Sequence, residues 1–463
     1  VQTCALPILK KGGAPCDVNI LRSDAGLMTT REAGRNPIYG VLSGPSGGVA
    51  GALAVSTRAG YPNILTFDMG GTSTDVALCQ NGEPTIGRDT SIGQFRLKVP
   101  SINVHTVGAG GGSIAHVPQL TRALRVGPQS AGAEPGPAAY GKGGTEPTVT
   151  DANVVVGHLP PRLLGGEMTL DVEASTKAVA TIGEAIGLDT EAAAEGILAI
   201  VNENMAGALR LVSVQRGYDP RDFALVAFGG AGPLHANAVA ELMGSFPVIV
   251  PPSPGLLCAI GDLVAEFRNE FARTIVTPMD DVKAEDVATV LDELAARTTE
   301  WMTSEGIEES GQRLTYLADM RYVLQGYEIP VPVSVDDVKA GRLDTLGDVF
   351  DAMHEQLYGF KMDDAPKEIV NLRCIGNGAV PTMQFPSAKP KKSGGKDAVV
   401  EEHEIVFEGK KVPTKIYDRS KLTPGARFDG PAIVTEFDST TVVLPGYTAE
   451  MDEYYNILIN PKA

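Results

Sequence analysis

An α/β fold with a mixed central sheet, followed by a smaller β-rich unit at the C-terminal end, is what this 463-residue sequence predicts. Three observations carry the prediction. Residues 64–78 (ILTFDMGGTSTDVAL) run as an apolar stretch, a Gly-Gly break and a second apolar stretch, the pattern of strand, tight turn, strand. Residues 223–252 run as an apolar strand (FALVAF), a Gly-Gly-x-Gly turn, a helix opened by Pro233 and a further strand (PVIVPP). That order sets the glycine turn at the carboxyl end of a parallel strand, where α/β sheets bind ligands. From 398 to 463 the chain is short strands separated by turn signals at Pro424-Gly425, Asp429-Gly430-Pro431 and Pro445-Gly446.

Composition narrows the function classes. The length gives room for two or three domains. A formal net charge of −18 leaves no basic excess to neutralise phosphates, which argues against nucleic acid. No apolar run reaches the ~18–20 residues that span a bilayer, so no membrane partner is expected. Five cysteines (4, 16, 79, 258 and 374) form no C-x-x-C pair, which indicates neither a zinc site nor a disulfide scaffold and fits a reducing cytoplasm.

Along the chain, 17–22 suggests a short strand and Arg31-Glu32-Ala33 a helical turn. GVLSGPSGGVAGALAVSTRAG (40–60) is small throughout its second half and reads as a helix ending at Gly60, with Gly47, Gly48 and Gly51 for close packing. SINVHTVGAGGGSIAHV (101–117) alternates into a five-residue glycine-alanine run that must pass close to another backbone or a ligand. His105 there is either catalytic or a satisfied strand-end histidine. Segment 127–161 is dense in Gly and Pro and reads as irregular. Gly136, Gly141 and Lys142 satisfy G-x-x-x-x-G-K, but Gly143 replaces the hydroxyl residue and no strand precedes, which excludes a P-loop. Residues 188–217 form a helix capped at Asp189 or Thr190, with Ile197, Val201, Met205 and Val212 at helical spacing. A dinucleotide site is excluded twice: Ser113 and His235 each stand where the fingerprint requires Gly or Ala. Residues 254–274 read as a further helix, 280–302 and 344–359 as amphipathic helices, and 314–333 as two strands around Gln325-Gly326. KPKKSGGK (389–396) is a basic surface turn.

The turn at 70–74 carries the chemistry. Gly70 and Gly71 let the backbone approach a phosphate, while Thr72, Ser73 and Thr74 offer hydroxyls and amides. Asp68 and Asp75 at its edges can hold the water shell of Mg²⁺. A plain hairpin whose Thr and Ser cap their own backbone is the alternative.

With these residues in hand, the sequence resembles the hydantoinase A / 5-oxoprolinase family, whose relatives include β-type subunits of acetone and acetophenone carboxylases. The likeness runs from about residue 18 to the end through LSGPSGGVAGA, TFDMGGTSTDVAL, HTVGAGGGSIA, GAEPGPAAYGKGG, TVTDANVVVGHL, AFGGAGPLHA, DMRYVLQGYEIPVPV and GPAIVTEFDSTTVVLPG. The resemblance implies an actin-like, ribonuclease-H-like ATPase fold. It implies a phosphate motif at Asp68, Gly70, Gly71, Thr72, Ser73, Thr74 and Asp75, and an adenosine motif at Gly229, Gly230, Ala231 and Gly232. Asp68 and Asp75 are then catalytic and Mg²⁺-holding, and ATP and Mg²⁺ the cofactors. The implied activity is ATP-dependent opening of a small cyclic amide (hydantoin or 5-oxoproline type), with a hydantoinase-B-type subunit or domain as partner. A carboxylase β-type subunit and a non-catalytic nucleotide-binding scaffold are the alternatives. The expected division is 1–39 a non-native start and remnant of an earlier domain, 40–275 the nucleotide-binding domain, 276–397 an α+β connection and 398–463 the β-rich domain. The opening VQTCALPI is what a sequencing adapter gives when translated, and only one D-x-G-G-T loop is present; both lead to the expectation of an N-terminally truncated chain in which Cys4 is not native.

Overall fold

The computed structural model describes residues 18–92, 95–379, 383–391 and 395–462. The octapeptide 1–8, Cys4, Cys16 and part of the basic stretch 389–396 lie outside them.

A nine-stranded sheet organises the molecule. Its members are β1 (Ile64–Met69), β2 (Thr74–Gln80), β3 (Glu83–Pro84), β4 (His105–Val107), β5 (Ala224–Phe228), β6 (Val248–Val250), β7 (Arg427–Asp429), β8 (Tyr447–Met451) and β9 (Ile457–Pro461). The strand order is β7-β8-β9-β6-β5-β1-β2-β3, with β4 also on β2. Strands β1, β5 and β6 are mutually parallel and every other pair is antiparallel, so the sheet is mixed.

Alternation along β1 sorts the two faces. Leu65, Phe67 and Met69 pack with Val149 and Ala152 of helix α2 (Val149–Val155), with Ile197, Val201 and Met205 of α3 (Thr190–Val212), and with Ala236 and Val239 of α4 (Gly232–Met243). On the opposite face, Ile64 packs with Val49, Ala52 and Leu257; the first two belong to α1 (Ser43–Arg58) and the third to α5 (Leu257–Val264). The small residues of α1 are there for contact between helices. A Cβ on Gly261 of α5 would lie 1.8 Å from the Gly47 carbonyl oxygen, so nothing larger fits. Helix α3 has the length and apolar content of a membrane-spanning helix. Here it is a core helix, with Ala193, Ile197, Val201 and Met205 fully buried.

A second, six-stranded sheet contains Phe267–Pro278, Lys367–Gly378 and Gln312–Tyr322 at its centre. Helices Ala284–Ser304 and Asp344–Tyr358 contribute to its core through Val287, Leu291 and Phe350. This corrects the helix expected over 254–274, which stops at Val264 and gives way to the strand Phe267–Pro278. Phe267, Phe271 and Ile275 recur every four residues, a spacing that fits one face of a helix and one face of a strand alike. The long antiparallel register with Lys367–Gly378 decides for the strand.

The C-terminal residues also differ from expectation. Val399–Phe407, Lys410–Asp418, Ala432–Thr435 and Thr440–Val443 form a four-stranded sheet, but β7, β8 and β9 complete the central sheet instead. Strand β9 pairs with β6 through Val248↔Ile459 and Val250↔Ile457, covering an edge that would otherwise expose unpaired backbone. Ile433, Val443 and Ile457 share one apolar cluster with Leu65 and Phe67.

Candidate functional site

The hairpin between β1 and β2 closes through Gly70 N–H donating to the Ser73 carbonyl at 3.0 Å. The glycine run at 108–112 is laid directly over it. Gly111 N donates to Gly70 O at 3.0 Å and Gly112 N to Gly71 O at 2.6 Å. A Cβ on Gly110 would stand 2.6 Å from the Thr72 nitrogen, so the close approach anticipated from the sequence is to backbone. This stacking leaves the amides of Gly71 and Thr72 with no protein partner among the described residues.

The second glycine turn, at the end of β5, is fastened to the same hairpin, because Ala231 N donates to Met69 O at 3.0 Å. Gly70, Gly71, Gly230 and Ala231 accordingly line one cavity of about 400 Å³, within the range of small-ligand sites. Its lining combines apolar side chains (Leu159, Leu163, Met168, Leu234) with Thr150, Asn153, His235 and Lys142. Residues 436–440 close the rim. They are held by Ser253 N on Glu436 (3.1 Å), Gly255 N on Asp438 (2.9 Å) and Ser439 Oγ on Gly230 O (3.4 Å). Arg419 Nη1 meets Glu436 Oε1 at 2.6 Å.

Other expected residues fall elsewhere. Gly229 and Gly232 belong to the same turn but do not line the cavity. Gly229 donates its amide to Pro254 O at 3.0 Å, and Gly232 begins α4. Thr72 and Ser73 stay at the tip of the hairpin, the first exposed and the second half-buried. The side chain of Thr74 is a latch: it is fully buried and its hydroxyl donates to Ala109 O at 2.5 Å. That hydroxyl is not free for a phosphate.

Asp68 and Asp75 are direct cross-strand partners, and neither lines the cavity. They lie on the α1/α5 side of the hairpin, where Cys258 Sγ of α5 approaches Asp68 Oδ2 at 3.6 Å and Thr106 Oγ1 bonds Asp75. Burial, then the charge of Asp75, push the Asp68 carboxyl up to about 6. Burial raises Asp75 too, against the Thr106 bond. Two like charges in register repel, so this pair is built to share a proton or meet a cation. Among the described residues no cluster of three or more His, Cys, Asp or Glu side chains forms a metal cage. Two carboxylates in cross-strand register are a donor set that suits a cation keeping most of its waters, as Mg²⁺ does. His105 pairs with Val76 on the edge of β2.

Sequence reasoning missed three parts of the site. His235, set aside there as a missing glycine, is 3% exposed and held between Asn202 Oδ1 at Nδ1 (2.8 Å) and Asn153 Nδ2 at Nε2 (3.1 Å). These partners place its proton on Nδ1, and burial lowers it to about 3, so the ring stays neutral. Lys142 reaches the cavity from a segment dismissed as a false P-loop. The 436–440 rim comes from a distant part of the chain; its residues stand inside the motif GPAIVTEFDSTTVVLPG, but nothing local ties that motif to the glycine turns.

Comparison with known proteins follows the same outline. A family model described as Hydantoinase/oxoprolinase matches residues 7–271, and one described as Hydantoinase/oxoprolinase C-terminal domain matches 279–459. Caprolactamase subunit alpha of Pseudomonas jessenii is 34% identical over 449 residues, covering 95% of this chain and 64% of that protein. The crystal structure of ATP-dependent caprolactamase from the same organism superposes with a TM-score of 0.88 at 32% identity, over 98% of this chain and 67% of that one. The nucleotide-free structure of acetone carboxylase gives 0.75 at 26%, over 99% and 66%. The 5-oxoprolinase of Saccharomyces cerevisiae is 29% identical across 96% of this chain, which spans 36% of it. The chain thus spans less than two thirds of the length of these curated relatives.

Proposed function

The chain belongs to the hydantoinase/oxoprolinase family, and on that premise we propose that it handles the nucleotide in an ATP-dependent hydrolase that opens a small cyclic amide. The observation that carries the reading is the convergence of two glycine turns, 160 residues apart, on one cavity. The amide of Gly71, which lines it and has no protein partner among the described residues, suits a phosphate oxygen.

In this reading the central sheet is of the actin-like, ribonuclease-H-like kind and 40–275 its nucleotide-binding part, with 276–397 connecting and 398–463 supplying the rim. The hairpin 70–73 meets the phosphates, and Gly229–Gly232 the adenosine. Asp68 and Asp75 would hold Mg²⁺, which when bound neutralises phosphate charge. An unactivated amide resists water because ring opening must break amide resonance and expel nitrogen. Transfer of the γ-phosphoryl group of ATP to the carbonyl oxygen, with ADP leaving, makes the carbon electrophilic enough for water to add. The C–N bond then breaks with protonation of nitrogen, and a second water hydrolyses the resulting acyl phosphate to carboxylate and phosphate. Such phosphoryl transfer requires positioning and charge neutralisation rather than a protein nucleophile, which agrees with a site of amides, hydroxyls and carboxylates. Relatives named as subunits support a multi-subunit enzyme; a hydantoinase-B-type chain as partner and the cytoplasm as compartment are further parts of the proposal.

The test is phosphate release by the intact protein with its partner, across lactams, hydantoins and 5-oxoproline. Release that depends on one cyclic amide supports the reading. The likeness to acetone carboxylase favours a second reading, in which release depends on a ketone and bicarbonate instead. ATP binding with no substrate-dependent release from any of these would leave only a nucleotide-binding scaffold.

A further inference from the structure

We propose that Lys142 is the cation that meets the nucleotide's phosphates in this cavity, an inference that rests on the nucleotide reading above. Among the described residues lining the cavity it is the single lysine or arginine. No carboxylate among the described residues stands within ion-pair distance of it, whereas the two acids of the rim are occupied by their own partners. Lys142 is exposed and lines the same cavity as Gly71, whose amide has no protein partner among the described residues, so both bring positive charge or a free donor to one space.

The backbone that carries Lys142 is fixed rather than loose. Asp151 is fully buried and accepts from Ala138 N (3.3 Å), Ala139 N (2.8 Å), Thr148 N (3.0 Å), Thr148 Oγ1 (2.7 Å) and Ser175 Oγ (2.8 Å). Two of those donors immediately precede Tyr140. Thr150, adjacent to Asp151, donates its Oγ1 to Gly111 O at 2.8 Å, and Gly111 N in turn holds Gly70 O. Through the adjacent residues Thr150 and Asp151 these hydrogen bonds tie the lysine's segment to the hairpin. Gly141 and Gly143 on either side have φ of +65° and +94°, which turns the chain back at Lys142. The lysine thus reaches the phosphates by a route unrelated to the strand–loop–helix of a P-loop, although the motif letters coincide.

Its charge, rather than its shape, is the functional property, which sets the experiment. ATP·Mg²⁺ affinity is measured by calorimetry on the full chain for wild type, Lys142→Gln and Lys142→Arg, with unfolding midpoints recorded without ligand. The expected result is at least tenfold weaker ATP binding for Lys142→Gln, affinity within threefold of wild type for Lys142→Arg, and unchanged midpoints for both. Equal affinity in Lys142→Gln and wild type overturns the proposal while the nucleotide reading stands. Wild-type chain that binds no ATP removes the nucleotide reading and the role of Lys142 with it.

Discussion

Asp68 shows at the scale of one residue what the site costs the fold. Its carboxyl stands at about 6 in the folded chain against 3.8 for an exposed aspartate. Between those values the folded state binds more protons than the unfolded one, so stability falls as pH rises through that window. Above pH 6 the full penalty applies, up to about 3 kcal/mol. Asp68→Asn should therefore match wild type near pH 4 and exceed it by up to about 3 kcal/mol at pH 7.5, as read from urea unfolding of the ligand-free chain. A gap that does not widen with pH would show that the carboxylate is not strained. Adding Mg²⁺ should stabilise wild type, close the gap and leave Asp68→Asn unmoved. The same substitution should abolish ATP turnover in the intact protein, since in the proposed reading Asp68 is the group that organises the cation.

At the scale of elements, the hairpin and the glycine run over it act as one unit. Gly110→Ala would place a methyl group 2.6 Å from the Thr72 nitrogen, where only backbone can give way. Moving that backbone breaks the bonds from Gly111 and Gly112 to the turn, so a loss of about 1–3 kcal/mol is expected together with weaker nucleotide binding. Gly71→Ala is the contrast: nothing lies within 4 Å of its added methyl, and its φ is not positive. Unfolding free energy within about 0.5 kcal/mol of wild type, with nucleotide binding impaired, would separate the binding surface of the turn from its support. These elements were legible in the sequence because their signals are local: β-branched runs broken by Gly-Gly, and a glycine turn between strand and helix. Phe267–Pro278 was not, since a four-residue apolar spacing serves both periods and the partner strand lies a hundred residues on. Thr74 looked like a ligand because a hydroxyl beside glycines has the right chemistry; only the fold shows that Ala109 already uses it.

At the scale of the whole molecule, Arg419 ties the C-terminal residues to the sheet and the cavity together. It is 7% exposed, and its guanidinium meets Glu436 Oε1 (2.6 Å), Val250 O at the end of β6 (2.9 Å) and Tyr455 O just before β9 (3.1 Å). Glu436 in turn holds Ser253 and borders the cavity. Burial raises the Glu436 carboxyl and Arg419 pulls it back. Arg419→Ala leaves that acid buried without its counter-charge, which should cost about 3–5 kcal/mol at pH 7.5. Without the arginine the folded-state carboxyl rises further, so it takes up a proton more readily than in the unfolded chain and the deficit should shrink on acidification. Arg419→Ala with Glu436→Gln removes both charges and should recover part of the loss, because the unpaired charge is the larger cost and the two orphaned carbonyls remain. Denaturant titrations of the two single variants and the double variant at pH 5 and 7.5 give the coupling directly. Losses that simply add, with no dependence on pH, would mean that the pair does no more than fill space. A strong coupling, with nucleotide affinity falling in the same variants, would make the C-terminal residues part of the site and the central sheet a single folding unit.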